Sequence, residues 1–214
     1  MEIIPSILVK TKQEFDEKIK EAEQYAGWVH IDIADGIFVP NSTIDGVSEL
    51  IDSGTKIKSG VHLMVQKPEN HISRWLSIGI EKIIVHAEAT NKLEQIINEV
   101  KESECAIGIA LNPKTPVETI KNFINEVDLV HFMTVEPGFY GSKFVPEVAE
   151  KIKDFRYFYP DVPVEVDGSV NLETIGILAE AGASIFVVGS YFWDSQDKRK
   201  AIDDLKSAVN NFKT

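Results

Sequence analysis

Cysteine is nearly absent. Cys105 is the only one in 214 residues, so no intrachain disulfide can staple the chain. It sits in the apolar stretch CAIGIAL, which marks a buried core thiol rather than a nucleophile. Long apolar runs are missing too. None approaches the roughly 18 residues of a membrane span, and the opening MEIIPSIL lacks the basic segment and apolar core of a signal peptide. Basic charge is scarce: 22 Lys and Arg stand against 34 Asp and Glu, a formal net charge of -12. That balance argues against nucleic acid or an anionic membrane as partner, because either favours a basic patch. It leaves a phosphorylated small molecule open, since a few backbone amides can bind one phosphate locally. There is no G-x-G-x-x-G fingerprint, no linker and no low-complexity segment. The expectation is a soluble, cytoplasmic, single-domain protein over residues 1–214 that binds neither nucleic acid nor membrane.

What is present is a rhythm. Eight short apolar runs occupy 3–8, 28–33, 60–65, 82–86, 106–111, 129–135, 162–166 and 184–188. Between them lie segments with helix-start chemistry. Thr11 with Glu14 fits a capping box, as does Thr115 with Glu118, where Pro116 takes the first helical position. Asn91 precedes Lys92-Leu93-Glu94 in the same way. Asn171 can cap a helix over 172–181, with Gly182 as its stop signal. Residues 198–212 form an amphipathic closing helix, while 35–59 leave room for only a short one. Eight such units closing on themselves give an α/β fold, a (β/α)8 TIM barrel. A doubly wound open sheet is the alternative.

Chemistry collects at the ends of these runs. Side chains at i and i+2 of a strand share a face, so His30 points with Asp32, and His62 with Met64. Asp167 ends the seventh run, and Met133 falls near the end of the sixth. In a barrel the C-terminal strand ends meet, and reacting groups sit there. Two imidazoles and two carboxylates suit one divalent transition ion, and the carboxylates could also move protons. His86 also ends a strand, with pocket lining and a structural hydrogen bond as its two readings. His131 reads as core, and His71 as part of a solvated helix. Glycines cluster late, in Pro137-Gly138-Phe139-Tyr140-Gly141, Gly168-Ser169 and Gly189-Ser190. Their amides can approach an anion without a Cβ clash, which points to phosphate.

The segments Pro5-Ser6-Ile7-Leu8, HIDIADGIFVPN (30–41), VHLMV (61–65), ALNPKTP (110–116), MTVEPGF (133–139), VDGS (166–169) and VGS (188–190) occur in order. Together they resemble the ribulose-phosphate 3-epimerase family. The resemblance implies a (β/α)8 barrel, a homo-oligomer and one divalent metal cation (zinc, iron(II), manganese or cobalt). It implies a phosphorylated ketose substrate, interconverted between D-ribulose 5-phosphate and D-xylulose 5-phosphate by two-base proton transfer through a 2,3-enediolate. Carried over by motif, His30, Asp32, His62 and Asp167 are the metal ligands, and Asp32 and Asp167 the acid/base pair. His62 and Asp167 would then also lie at the substrate. Ser6 would bond near the substrate oxygens or Asp32, and Met64 and Met133 would pack on the reacting carbons. Gly138, Phe139, Tyr140 and Gly141, with Gly168, Ser169, Gly189 and Ser190, would hold the phosphate.

Three departures bear on the substrate. The family carries Met where Ala34 stands, GFGGQ reads GFYGS through Tyr140 and Ser142, and VDGG reads VDGS. VDGS also resembles the relative that epimerises D-allulose 6-phosphate, and Ala34 would leave room for one more carbon. Decarboxylases and synthases of the hexulose-phosphate type carry D-x-K-x-x-D, which is missing after Asp32. A barrel that binds a sugar phosphate without catalysis is the non-enzyme alternative.

Overall fold

The computed structural model describes residues 1–138 and 141–210. Eight parallel strands close into a barrel in sequence order. They are β1 (Glu2–Ile7), β2 (Trp28–Ala34), β3 (Lys58–Met64), β4 (Lys82–His86), β5 (Ala106–Leu111), β6 (Leu129–Met133), β7 (Val164–Asp167) and β8 (Ile185–Val188). The seam is closed by β1 on β8, with Ile4 beside Val187. Each expected run became a strand, with ends shifted by a residue or two. The open-sheet alternative is excluded by that closure.

Strand alternation divides the side chains into two populations. The outward set, including Ile31, Leu63, Val85, Ile109, Phe132 and Val166, packs against Phe15, Ile72, Ile96, Ile152 and Leu205 of the helices. The main apolar core is therefore an annulus between barrel and helices. The inward set includes His30, Asp32, His62, Lys82, His86, His131 and Glu165, all buried. A polar interior of this kind folds only if its groups satisfy one another.

Helices α1 (Lys12–Ala22), α2 (Val47–Ser53), α3 (Ile72–Leu76), α4 (Leu93–Lys101), α5 (Glu147–Phe158), α6 (Ile175–Ala181), α7 (Ser190–Trp193) and α8 (Lys198–Asn210) complete the outer layer. The Thr11–Glu14 capping box is formed, and Gly182 ends α6 in the left-handed conformation. Asn171 accepts the amides of Glu173 and Thr174, although regular helix begins only at Ile175. Two expected caps are absent. The Thr115 hydroxyl is drawn to Glu88 instead of the residue-118 amide, and Pro116 stays extended. Only 3-10 turns, Val117–Ile120 and Ile124–Glu126, follow there. At α4 the preceding residue is Lys92, whose amide is taken by Thr90, so Asn91 caps nothing. The expected end of the closing helix at Phe212 lies outside the described residues. No helix among those described is long and apolar enough to cross a membrane. Cys105, expected as a buried core thiol, is instead half-buried and packed against the edge of the core; burial pushes its thiol up to about 12.

One interior charge needs a specific gap. A Cβ at Gly60 would lie 2.7 Å from Lys82 Cε and 3.3 Å from its Cβ. Glycine on β3 thus makes room for a lysine inside the barrel. Gly60→Ala is expected to cost about 1–3 kcal/mol by overpacking. Urea denaturation reads this directly, and an unchanged midpoint would remove Gly60 from that role.

Candidate active site

The C-terminal end of the barrel brings the four expected residues together. β2 supplies His30 and Asp32, β3 supplies His62, and β7 supplies Asp167. One donor atom from each lies within 4.8 Å of the other three. The Nδ1 atoms of His30 and His62 each stand 3.2 Å from Asp32 Oδ1. His62 Nδ1 is 3.8 Å from Asp167 Oδ2. Register accounts for part of this, since Asp32 pairs with His62 and Met133 with Asp167 across neighbouring strands.

Burial penalises charge on every member, and the neighbours decide how each responds. Burial and the Asp32 charge push the Asp167 carboxyl up to about 8. Burial acts the same way on Asp32, but bonds from His30 and His62 outweigh it and hold Asp32 below the usual carboxylate range. Burial opposes charge on His30 also, yet Asp32 and Glu165 raise it to about 9. Burial pushes His62 down to about 4. Two adjoining buried carboxylates need either a proton or a cation between them. Two imidazole nitrogens and two carboxylate oxygens fit one divalent transition ion, so the donor chemistry matches a metal.

Below this cluster lies a charged layer that sequence reading missed. Glu165 is fully buried on β7, two residues before Asp167 and on the same face. One of its oxygens pairs with Lys82. The other is 2.9 Å from His131 Nδ1 and 3.3 Å from His30 Nε2. The His30 approach is short but not well aligned, and Nε2 makes no formed hydrogen bond. His30, His131 and Glu165 make a second group of donor atoms within 4.8 Å. There Lys82 already supplies the positive charge. On the opposite flank His62 Nε2 meets His86 Nε2 at 2.8 Å, and His86 Nδ1 meets Glu88 at 3.3 Å. His86 thus takes the structural hydrogen-bond reading, and His131 is core as expected. Strand parity was the available signal for Glu165 and Lys82. Parity gives the face of each but not the partner that makes its burial possible.

Above the cluster opens a cleft. It is lined by Ser6, Asp32, Met64, Met133, Gly138, Gly141, Asp167, Gly168, Ser169, Gly189 and Ser190, together with Leu8, Val135, Ser142 and Val170. His30 and His62 are fully buried and do not line it. Phe139 and Tyr140, expected at the phosphate, lie outside the described residues. Ala34 packs with Met64 and Val39 and is not among the residues that line the cleft. No Lys or Arg occurs among the described lining residues. Gly168 has φ +107°, and a Cβ there would meet Val135 Cγ2 at 2.5 Å. Ser169 follows at φ +48°, a left-handed conformation for a residue with a side chain, and its hydroxyl donates to the Ser142 carbonyl. Such strain collects where function over-determines a loop.

A closed (β/α)8 barrel with an acid–base cluster at its C-terminal face defines a barrel enzyme. The sequence comparisons sharpen that class. The chain belongs to the Ribulose-phosphate 3 epimerase family, whose sequence profile matches residues 2–193. It is 38% identical over 215 residues to the ribulose-phosphate 3-epimerase of Bacillus subtilis, covering 97% of this chain and 99% of the relative. The Schizosaccharomyces pombe enzyme of the same name is 37% identical over 97% of this chain and 93% of its own, and that of Escherichia coli K12 33% over 97% and 95%. The chain is accordingly an isomerase of the epimerase type acting on carbohydrates. Among solved structures, 3-hexulose-6-phosphate synthase from Salmonella typhimurium superposes with TM-score 0.73 at 11% identity, covering 99% of this chain and 100% of that one. Orotidine 5'-monophosphate decarboxylase from Sulfolobus solfataricus gives 0.69 at 12%, covering 99% of each. Those two likenesses are of fold.

The layer beneath the cluster makes its own prediction. Removing Glu165 alone strands the Lys82 ammonium inside the barrel. Glu165→Ala is expected to cost about 3–5 kcal/mol, whereas Glu165→Leu combined with Lys82→Met recovers most of it. Urea denaturation of the two variants decides this, and equal losses would contradict charge compensation as the cause.

Proposed function

We propose that this chain epimerises C3 of a ketose phosphate, with D-ribulose 5-phosphate and D-xylulose 5-phosphate as the interconverted pair. The observation that carries the reading is the convergence of Asp32 and Asp167 from separate strands, with His30 and His62, at the floor of a glycine-lined cleft. The relatives' names supply the five-carbon substrate.

Epimerisation next to a ketone requires loss of an unactivated C–H proton and return of one to the opposite face. Asp32 on β2 and Asp167 on β7 both reach the cleft, so one removes the proton and the other delivers one. His30, His62 and the two carboxylates would hold one divalent ion. When bound, that ion supplies positive charge to the oxygens at C2 and C3 as negative charge develops there. Met64 and Met133 give the reacting carbons a wall without competing hydrogen bonds. Ser6 lines the cleft and offers a hydroxyl to the substrate oxygens. The phosphate sits against the loops after β6, β7 and β8, where Gly141, Gly168, Ser169, Gly189 and Ser190 offer amides and hydroxyls. With no basic side chain among the described lining residues, neutral donors must carry that anion. A six-carbon substrate such as D-allulose 6-phosphate is the second reading, motivated by Ala34. The relatives' names favour the five-carbon substrate over it.

The test is turnover of both sugars by metal-loaded protein, followed by NMR. Ribulose 5-phosphate should be converted efficiently and allulose 6-phosphate poorly; the reverse order would reassign the substrate. Asp32→Asn and Asp167→Asn should each lower kcat by at least about 10²–10⁴-fold with the barrel still folded by circular dichroism. Near-normal turnover by either variant would remove that residue from proton transfer.

A further inference from the structure

The seam between β1 and β8 ends beside the cleft, and a side chain finishes it. The Glu2 amide donates to the Ser184 carbonyl at 3.0 Å, so Glu2, Ile4 and Ser6 turn their main-chain groups toward β8. Pairing runs from Glu2 beside Ile185 to Pro5 beside Val188 and stops there. Bonds of a parallel ladder are evenly spaced, so the next amide due at the Ser6 carbonyl is that of Ser190. The chain does not continue that way. Gly189, at φ -92° and ψ -106°, turns it into α7. The indole Nε1–H of Trp193 donates to the Ser6 carbonyl instead, at 2.5 Å.

A helix as short as α7, four residues, does not hold itself and depends on tethers. Its far end is fixed by Lys198, whose ammonium donates to the Trp193 and Ser195 carbonyls at 2.8 and 2.7 Å. The Trp193 ring meets the buried Phe192 edge-on at 4.8 Å, and the Lys18 ammonium lies 4.7 Å from its centre. These contacts hold the ring in place whether or not its nitrogen carries a hydrogen. The near end of α7 is tied to β1 by the indole bond. Ser6 on one side of that tie, and Gly189 and Ser190 on the other, all line the cleft. Trp193 is not among the lining residues.

We propose that Trp193 is a positioning residue for the phosphate end of the cleft: its indole takes the ladder place of the Ser190 amide, which leaves that amide to the ligand and fixes Ser6 beside the Gly189–Ser190 turn. This rests on the reading above that the turn holds a substrate phosphate. Loss of the indole hydrogen takes a donor from the Ser6 carbonyl. The amide that strand register would return to it is that of Ser190, drawn away from the cleft. A purely structural reading makes Trp193 a plug at the edge of the core, where the ring matters and the N–H has no bearing on the ligand.

The two readings separate in variants that lose the hydrogen and keep a ring. Trp193→Phe does so by mutation, and benzothienylalanine incorporated at position 193 replaces only the N–H by sulfur. In metal-loaded protein, KM for D-ribulose 5-phosphate and the inhibition constant of inorganic phosphate should both rise about 3–10-fold, the worth of one hydrogen bond, with the loss falling on KM rather than kcat. In wild type labelled with 15N-tryptophan, the indole signal that both variants lack should shift when inorganic phosphate is added. Wild-type KM and phosphate inhibition in both variants would overturn the proposal, as would an indole signal indifferent to phosphate. The parent reading fails differently. The indole shift is read without turnover, so wild-type protein that shows it yet epimerises no ketose phosphate would overturn the proposed function and not the phosphate-binding turn.

Discussion

Charge buried inside the barrel is the constraint on which the remaining structure depends. A lysine, three carboxylates and four imidazoles occupy a space that most barrels fill with branched apolar side chains. Desolvation makes each of these groups costly alone. They persist because each faces a partner of opposite charge or complementary hydrogen-bonding sense. Glu165 meets Lys82 and His131, Asp32 meets both His30 and His62, and His62 meets His86. Asp167 is the member least provided for, and burial beside Asp32 raises its carboxyl accordingly. That unmet demand is what a divalent cation or a proton would answer.

The barrel wall and the loops divide the work. The wall sets the cluster through strand register and is supported from outside by the apolar annulus. The loops form the cleft and are tied down by side chains rather than by regular structure. Asp35 accepts the amides of Ile37, Phe38 and Gln66, which clamps the turn after β2 to the end of β3. Asn41 then donates to the Gly138 carbonyl at 2.6 Å, joining the β2 and β6 loops across the cleft mouth. Polar tethers of this sort hold the substrate-facing backbone without filling the space a ligand needs.

The eight strands and the inward His30, Asp32, His62 and Asp167 were legible because both follow from a period of two residues. Helix starts were read less well. Thr115 carries a capping signature, but Glu88, distant in sequence, outcompetes the local amide for its hydroxyl. The charged layer was illegible for a related reason. Parity puts Lys82 of KIIVH on the inward face with His86, but nothing local shows that Gly60 opens the space beside it or that Glu165 supplies its counter-charge from a strand far along the chain. Local pattern reports which face a side chain takes. It does not report which charges from other strands will meet it there.

The division of labour between Asp32 and Asp167 is the centre of the account, and the origin of the C3 hydrogen tests it most directly. Metal-loaded protein is supplied with D-ribulose 5-phosphate in D2O, and xylulose 5-phosphate formed in the first turnovers is examined by NMR and mass spectrometry. Two carboxylates acting on opposite faces predict deuterium at C3 in essentially every product molecule. Product that retains the substrate's own C3 hydrogen would show a single group working on both faces and would contradict the account.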